Sequence, residues 1–470
     1  MTPTVDMPPP ATPPLRGELS ALARLALPLA AAQAGQALMG VVDTAVVGRA
    51  GAVQIAGVGL GNALFFSLAV LGMGVMMGLD PLIAQAFGSD EPARARRLAW
   101  QGVFLALHAS AWLAAPMLLL PWLLQPLGVA PDVAHEAARF ILWRLPGLPF
   151  LLLYVGGRAY LQAAGLTRPM VVATVLANLV NVPLDVLLVF GGATLPAWAG
   201  PLRLVPAMGG AGAAVSNSLC LVLQGAILAA AILRVPAAPL SAAARRQDRA
   251  ELWRAARVGL PTGLHMVAEV GFFSLAGFLA ARLGAVAMAS HQLALSIASL
   301  SFTVALGIGN AGSVRVGLFV GARDRLAARH AGLTAFGAAA GFMAACGLGF
   351  LLFPGAIARL MTDDPAVAAA ATPLFRVAAL FQIADGVQAC GAGVLRGAGE
   401  TRFTFLANLL GHWLLGLPSI LLLGFGLGLG VLGLWWGFVV GLFAVAGAVL
   451  WRFLRVSSRE MAPLAGAGPG

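Results

Sequence analysis

Lysine is absent from all 470 residues. Charge of either sign is scarce, at 10% of the chain, against about 25% in an ordinary soluble domain. A surface so poor in charge would not stay dissolved, so most of it must face lipid. Without lysine there is no Walker-type Gly-Lys loop, which excludes an ATP-driven engine of that kind. The three cysteines, Cys220, Cys346 and Cys390, sit in apolar runs and suggest neither a disulfide framework nor a CxxC site. His108, His265 and His412 are scattered without ligand spacing, so no metal centre is expected. No cofactor is expected either.

What the chain does have is hydrophobic residues, 60% of the total, with a mean hydropathy of +0.90. A bilayer core takes roughly 20 apolar residues per helical crossing. Breaks in the apolar pattern divide the sequence into spans at 20–47, 53–80, 95–124, 134–161, 169–192, 207–233, 252–282, 286–316, 327–357, 366–394, 402–425 and 428–454. The breaks carry turn chemistry, as in Gly88-Ser89-Asp90-Glu91-Pro92 and Thr362-Asp363-Asp364-Pro365. The pattern predicts an all-α integral membrane protein with twelve transmembrane helices. Residues 1–19, Pro-rich and without the order of a cleavable signal, are expected to be a disordered cytoplasmic tail. The first six spans (20–233) and the last six (252–455) flank an arginine-rich linker at 234–251, and 456–470 reads as a second cytoplasmic tail.

The net charge of +11 rests on arginine alone. It does not point to nucleic acid, because the arginines gather at span ends, as topology signals do. With the N-terminus inside, 22 of the 29 arginines fall on the inner side and 7, including Arg144, on the outer. That asymmetry puts both termini in the cytoplasm.

The halves resemble each other. Arg49-Ala50-Gly51-Ala52-Val53 recurs as Arg282-Leu283-Gly284-Ala285-Val286, and Leu27-Pro28 as Leu260-Pro261, both 233 residues on. Gly88 maps onto Gly321 at the same offset, and Ala164-Gly165-Leu166-Thr167-Arg168 onto Ala398-Gly399-Glu400-Thr401-Arg402 at 234. An offset of six crossings keeps both halves in one orientation. It predicts two six-helix bundles related by a pseudo-twofold axis along the membrane normal, with a path between them.

Acids interrupt the apolar spans. Asp43, Asp185, Glu269 and Asp385 lie within them and Asp80 at the end of one. A carboxylate at mid-bilayer costs roughly 2.5–3.5 kcal/mol on insertion scales. Such a group must face a wet cavity, hold a cation, carry a proton or hydrogen-bond a neighbouring helix. Burial favours the protonated carboxyl and a bound cation the ionised one, so a site alternating between the two can couple ion occupancy to shape. Asn181 and Asp185 share a helix face at i,i+4, with Pro183 between them freeing backbone carbonyls. Gln382 and Gln388 flank Asp385 at i−3 and i+3. Gln36, His291 and Gln292 are further candidates for lining a cavity, although an interhelical histidine satisfied by its neighbours reads equally well. Asp80 can instead cap a helix end at the membrane interface.

These residues resemble the multidrug and toxic compound extrusion (MATE) family, bacterial NorM-like branch. The resemblance runs from about residue 20 to 455 and is carried by Met39-Gly40-Val41-Val42-Asp43-Thr44, Ala268-Glu269-Val270, Ser290-His291-Gln292-Leu293-Ala294-Leu295, Asp385-Gly386-Val387-Gln388 and Leu395-Arg396-Gly397. It implies a monomeric antiporter of the bacterial inner membrane that exports amphipathic, often cationic, drug-like compounds in exchange for Na⁺ or H⁺. It further implies that Glu269 and Asp385 form the cation site of the C-terminal half. Asp43, Asn181 and Asp185 would form the site of the N-terminal half. Two other readings are weighed against it. A flippase for lipid-linked precursors would want arginines inside the spans. A membrane prenyl transferase would want clustered acids for Mg²⁺, and Asp363-Asp364 is the one adjacent pair.

Overall fold

Glycines and prolines punctuate twelve long apolar helices in the computed structural model, which describes residues 15–193, 195–236, 241–242 and 244–464. They are α1 (Leu15–Gly48), α2 (Ala52–Gly88), α3 (Pro92–Leu124), α4 (Pro131–Ala163), α5 (Arg168–Phe190), α6 (Gly210–Arg234), α7 (Arg249–Arg282), α8 (Ala285–Gly321), α9 (Arg325–Leu352), α10 (Pro365–Gly397), α11 (Thr401–Gly426) and α12 (Gly430–Ser457). No strand occurs among the described residues. The chain is an all-α, multi-pass membrane protein.

The twelve spans stand where hydropathy put them, with instructive shifts. α1 begins at Leu15, so residues 15–19 are helical rather than tail; the rest of that expected tail lies outside the described residues. The ninth span stops at Leu352 instead of 357, because Pro354 pushes Phe353 out of helical geometry (φ −124°, ψ 37°) and a separate short helix, Pro354–Met361, follows. The linker is shorter at its C-terminal end, since α7 takes residues 249–251. It is also docked. Trp100 Nε1 donates to the Arg245 carbonyl and Gln101 Nε2 to that of Arg246, each at 2.8 Å, while Gln101 Oε1 accepts from the Asp248 amide at 2.9 Å.

The repeat is visible in the backbone. Gly51 and Gly284, 233 residues apart, both take left-handed φ (122° and 110°) in the turn between the first two helices of their half. A side chain at that φ would be strained, so glycine permits the reversal. Asp90 and Arg323 share the offset and are, among the described residues, the non-glycine positions with positive φ, at 57° and 56°.

Contacts sort the chain into two compact units. One holds the described part of Met1–Ala30, with Asp80–Pro92 and Leu260–Gly470; the other holds Ala31–Leu79 and Ala93–Gly259. Each unit therefore takes in helix ends from the opposite sequence half. The first has an aromatic core in which Phe272, Phe375, Phe381, Trp435 and Phe438 are all buried. The second has smaller clusters of aliphatic residues, such as Val46, Val47, Val58 and Val189 around Phe140.

Helix crossings in the first unit depend on missing side chains. A Cβ on Gly393 of α10 would stand 2.1 Å from the Gly309 carbonyl oxygen of α8, and one on Gly309 would stand 2.9 Å from that of Ala389. Backbone cannot yield as a flexible side chain does, so Gly393→Ala is expected to destabilise by about 1–3 kcal/mol. Thermal unfolding in detergent checks this, and an unchanged midpoint would refute it.

Candidate functional site

Asp43 with Asp185, and Glu269 with Asp385, each sit in a buried polar cluster, the first pair in one unit and the second in the other. In the unit built mainly from the first half, α1, α5 and α6 converge. The Asp43 carboxylate accepts from Asn181 Nδ2 (3.0 Å, on Oδ1) and from Asn217 Nδ2 (2.5 Å, on Oδ2). Asn181 also reaches Ser216 Oγ at 3.3 Å. Asp185 is 0% exposed, one helical turn beyond Asn181 on α5. Asp43, Asn181 and Ser216 lie around it, yet neither of its carboxylate oxygens has a donor in good geometry. Deeper in the same unit Gln36 Nε2 donates to Gln224 Oε1 at 2.9 Å.

Arg144 of α4 belongs to this neighbourhood, within electrostatic reach of both Asp43 and Asp185. Its guanidinium carbon lies 5.4 Å from the ring centre of Phe65 and 5.9 Å from that of Phe140. The expectation that arginines stay at the ends of spans fails at this position. The physical reason is that two carboxylates supply the countercharge a buried guanidinium requires. Just after it, the Leu145–Gly147 turn interrupts α4, because Pro146 and Pro149 each remove a helical donor.

In the other unit the cluster joins α7, α10 and α11. His265 Nε2 lies 3.2 Å from Glu269 Oε2, four residues along α7. Gln388 Nε2 of α10 donates to Glu269 Oε1 at 3.3 Å. Asp385, 4% exposed, sits near enough to Glu269 for their charges to interact, and so does His412. His412 is 0% exposed in a π-helical stretch of α11, Leu409–Gly416, a geometry that often marks functional sites. Its Nε2 and both side-chain polar atoms of the adjacent turn's Asn408 are buried without partners.

Several sequence expectations meet their neighbours here. Asp43, Asn181 and Asp185 come together, and so do Glu269, Asp385 and Gln388. Gln382 bonds Ser301 instead, while Gln292 is exposed. His291 is buried against the rings of Trp435 and Phe438. Asp80 is not a simple helix cap; its Oδ2 lies 3.2 Å from Arg396 Nε. Among the histidines set aside as scattered, His265 and His412 both flank Glu269. For His265 the i,i+4 spacing was a readable signal; for His412, Ser216, Asn217 and Arg144 the sequence offered none.

A carboxylate pair among amides, and a second pair beside imidazoles, can each take up and release a proton or a small monovalent cation. Neither arrangement contains a nucleophile with its base.

Comparison with known proteins fits this geometry. The MatE family model matches the chain twice, over residues 28–187 and 261–422, with starts 233 residues apart. The Multidrug resistance protein NorM of Burkholderia vietnamiensis is 36% identical over 457 residues, covering 94% of this chain and 95% of that protein. The Multidrug resistance protein MdtK of Proteus mirabilis is 32% identical over 455 residues, covering 94% and 96%. An outward-facing multidrug resistance MATE family transporter of the MOP superfamily superposes with a TM-score of 0.83 at 22% identity, covering 94% of this chain and 97% of that one. A MOP superfamily transporter from Pyrococcus furiosus described as having a binding pocket of reverse polarity superposes almost as well, at 0.82 and 22%. Likeness at that identity speaks for the fold, while the family rests on the whole-length match to closer relatives and the doubled family model. The chain belongs to the MatE family and is a membrane transporter, not an enzyme.

Proposed function

We propose that this transporter exports amphipathic, cationic drug-like compounds across the bacterial inner membrane in exchange for Na⁺ or H⁺, working as a monomer with both termini in the cytoplasm. The observation that carries the proposal is the pair of buried acid clusters, above all Asp185, 0% exposed beside a second carboxylate, Asp43. Facing the cytoplasm, the ionised acids favour a cationic substrate. Facing outward, the incoming ion neutralises them and the substrate leaves. The two resistance proteins above, named for what they do, support the choice of cargo. Fold alone does not, because a transporter described as having the opposite pocket polarity shares it.

Energetics constrain the cycle. The membrane potential supplies about 2.3 kcal/mol per charge per 100 mV. Turning a 1:99 population into 99:1 takes about 5.5 kcal/mol of differential binding. One charge moving down the potential does not reach that, so the concentration gradient and the substrate's own affinity must contribute. A flippase for lipid-linked anions is the rival. Arg144 gives it little support, since Asp43 and Asp185 already answer that charge.

The test is dye efflux from proteoliposomes with Na⁺ and H⁺ gradients imposed separately. One gradient should drive efflux and its collapse should stop it. Dye movement indifferent to both gradients would sink the proposal, and gradient-independent turnover of an anionic lipid would favour the rival.

A further inference from the structure

Asp80 and Arg396 are absorbed by neither acid cluster, and their surroundings suggest a different task. With twelve crossings, the ends of α2, α8 and α10 fall on the side of the molecule where α1 begins and α12 ends. There α2, from the first repeat, meets α8, from the second, backbone to backbone. A Cβ on Gly88 would stand 1.9 Å from the Leu318 carbonyl oxygen, and one on Gly321 would stand 2.1 Å from that of Gln85. Gly88 and Gly321 are the repeat-related pair, so the contact is reciprocal.

Polar side chains bridge the same contact. Asp80 Oδ2 of α2 pairs with Arg396 Nε of α10 at 3.2 Å, both side chains being 7% exposed. Arg396 Nη2 donates to Asn310 Oδ1 of α8 at 2.8 Å. One helical turn and a residue beyond Asp80, Gln85 Nε2 donates to the Gly397 carbonyl at 3.2 Å, and its Oε1 accepts from the Leu464 amide at 2.8 Å. Three helices and the segment after α12 are thereby tied together, by groups whose separation would leave a charge buried alone. Breaking a buried pair in that way is far costlier than losing an exposed one.

We propose that the Asp80–Arg396–Asn310 network is the latch of the gate at the terminal side, closed in this conformation and required to open in the other half of the transport cycle. Asp80 and Arg396 are positioning residues. They touch neither substrate nor coupling ion but set the population of the closed gate. The proposal rests on alternating access, because a fixed pore would need no such latch.

The test places spin labels on Ser89→Cys and Leu326→Cys, both exposed at the gate's rim, in protein with Cys220, Cys346 and Cys390 replaced by alanine. Double electron–electron resonance then reads the gate. The parent should give a dominant short distance. Asp80→Asn and Arg396→Gln should each shift the population toward a longer distance and slow dye efflux by on the order of tenfold. The exchange Asp80→Arg with Arg396→Asp should restore both. A support needed only for folding would lower the unfolding midpoint without shifting the distances. Unshifted distances in both single variants overturn the latch. Should those variants fail to insert, Asn310→Ala, which removes one hydrogen bond to Arg396, should give a smaller shift of the same sign, and its absence is equally fatal. Parent efflux measured alongside separates the two levels, since a parent that moves no dye refutes the exporter while the distances still report the gate.

Discussion

Asp185→Asn is expected to lower gradient-driven efflux at least about a hundredfold while leaving the protein as stable as the parent or more so. The two effects have one cause. In the parent the Asp185 carboxylate sits at 0% exposure with a like charge, Asp43, beside it. Arg144 faces two carboxylates with one charge, so the second buried carboxylate costs several kcal/mol unless a proton or cation joins it. Asparagine has nearly the same shape and no charge, so this cost and the repulsion from Asp43 vanish, while Asp43 still answers Arg144 and the fold does not lose. The exchangeable site vanishes with it. A hundredfold loss corresponds to about 2.7 kcal/mol of coupling, well within the roughly 5.5 kcal/mol that a full switch between facings demands. Initial efflux rates and thermal unfolding in detergent, measured on the same preparation, check the two signs together. Lost efflux with lost stability would mean that Asp185 is structural. Retained efflux would mean that the coupling lies elsewhere.

The second large effect belongs to the other cluster. Glu269→Gln and Asp385→Asn should each reduce efflux by about tenfold or more, the scale of a lost charge-assisted contact. Glutamine at 269 keeps the length that reaches Gln388 and removes the charge facing His265, so packing is preserved and the ionic partner is not. Undiminished efflux in both variants would remove this cluster from the coupling scheme. Combining Asp185→Asn with Glu269→Gln adds a further test. The clusters lie in different compact units, so independent contributions should multiply. If the double variant is no worse than Asp185→Asn alone, both acids act on one ion.

The resemblance found in the sequence named the family correctly, and the acids it nominated do cluster, but their neighbours were not legible. Asp43 was visible as a charge in an apolar run. Asn217, which binds it most closely, sits among small residues of α6 with no local oddity to betray it. His265 stood one helical turn from Glu269 and could have been paired with it by spacing. His412 could not, because its approach depends on where α11 packs against α7 and on a π-helical stretch that no periodicity announces. Asp80 read as a possible cap since its partner, Arg396, lies in the other half of the chain.

The division follows from physics. Hydropathy acts over a single helix length, so the sequence alone determined twelve crossings and their order. A repeat leaves the same turn residues at a constant offset, so Gly51 and Gly284 disclosed the duplication before any coordinates did. Pairings between helices depend on crossing points and rotations set by packing across the whole chain. Only the tertiary structure could therefore decide that Asp185 is buried beside Asp43, that Arg144 faces both carboxylates, and that Asp80 and Arg396 meet on the side where Gly88 and Gly321 let two backbones touch.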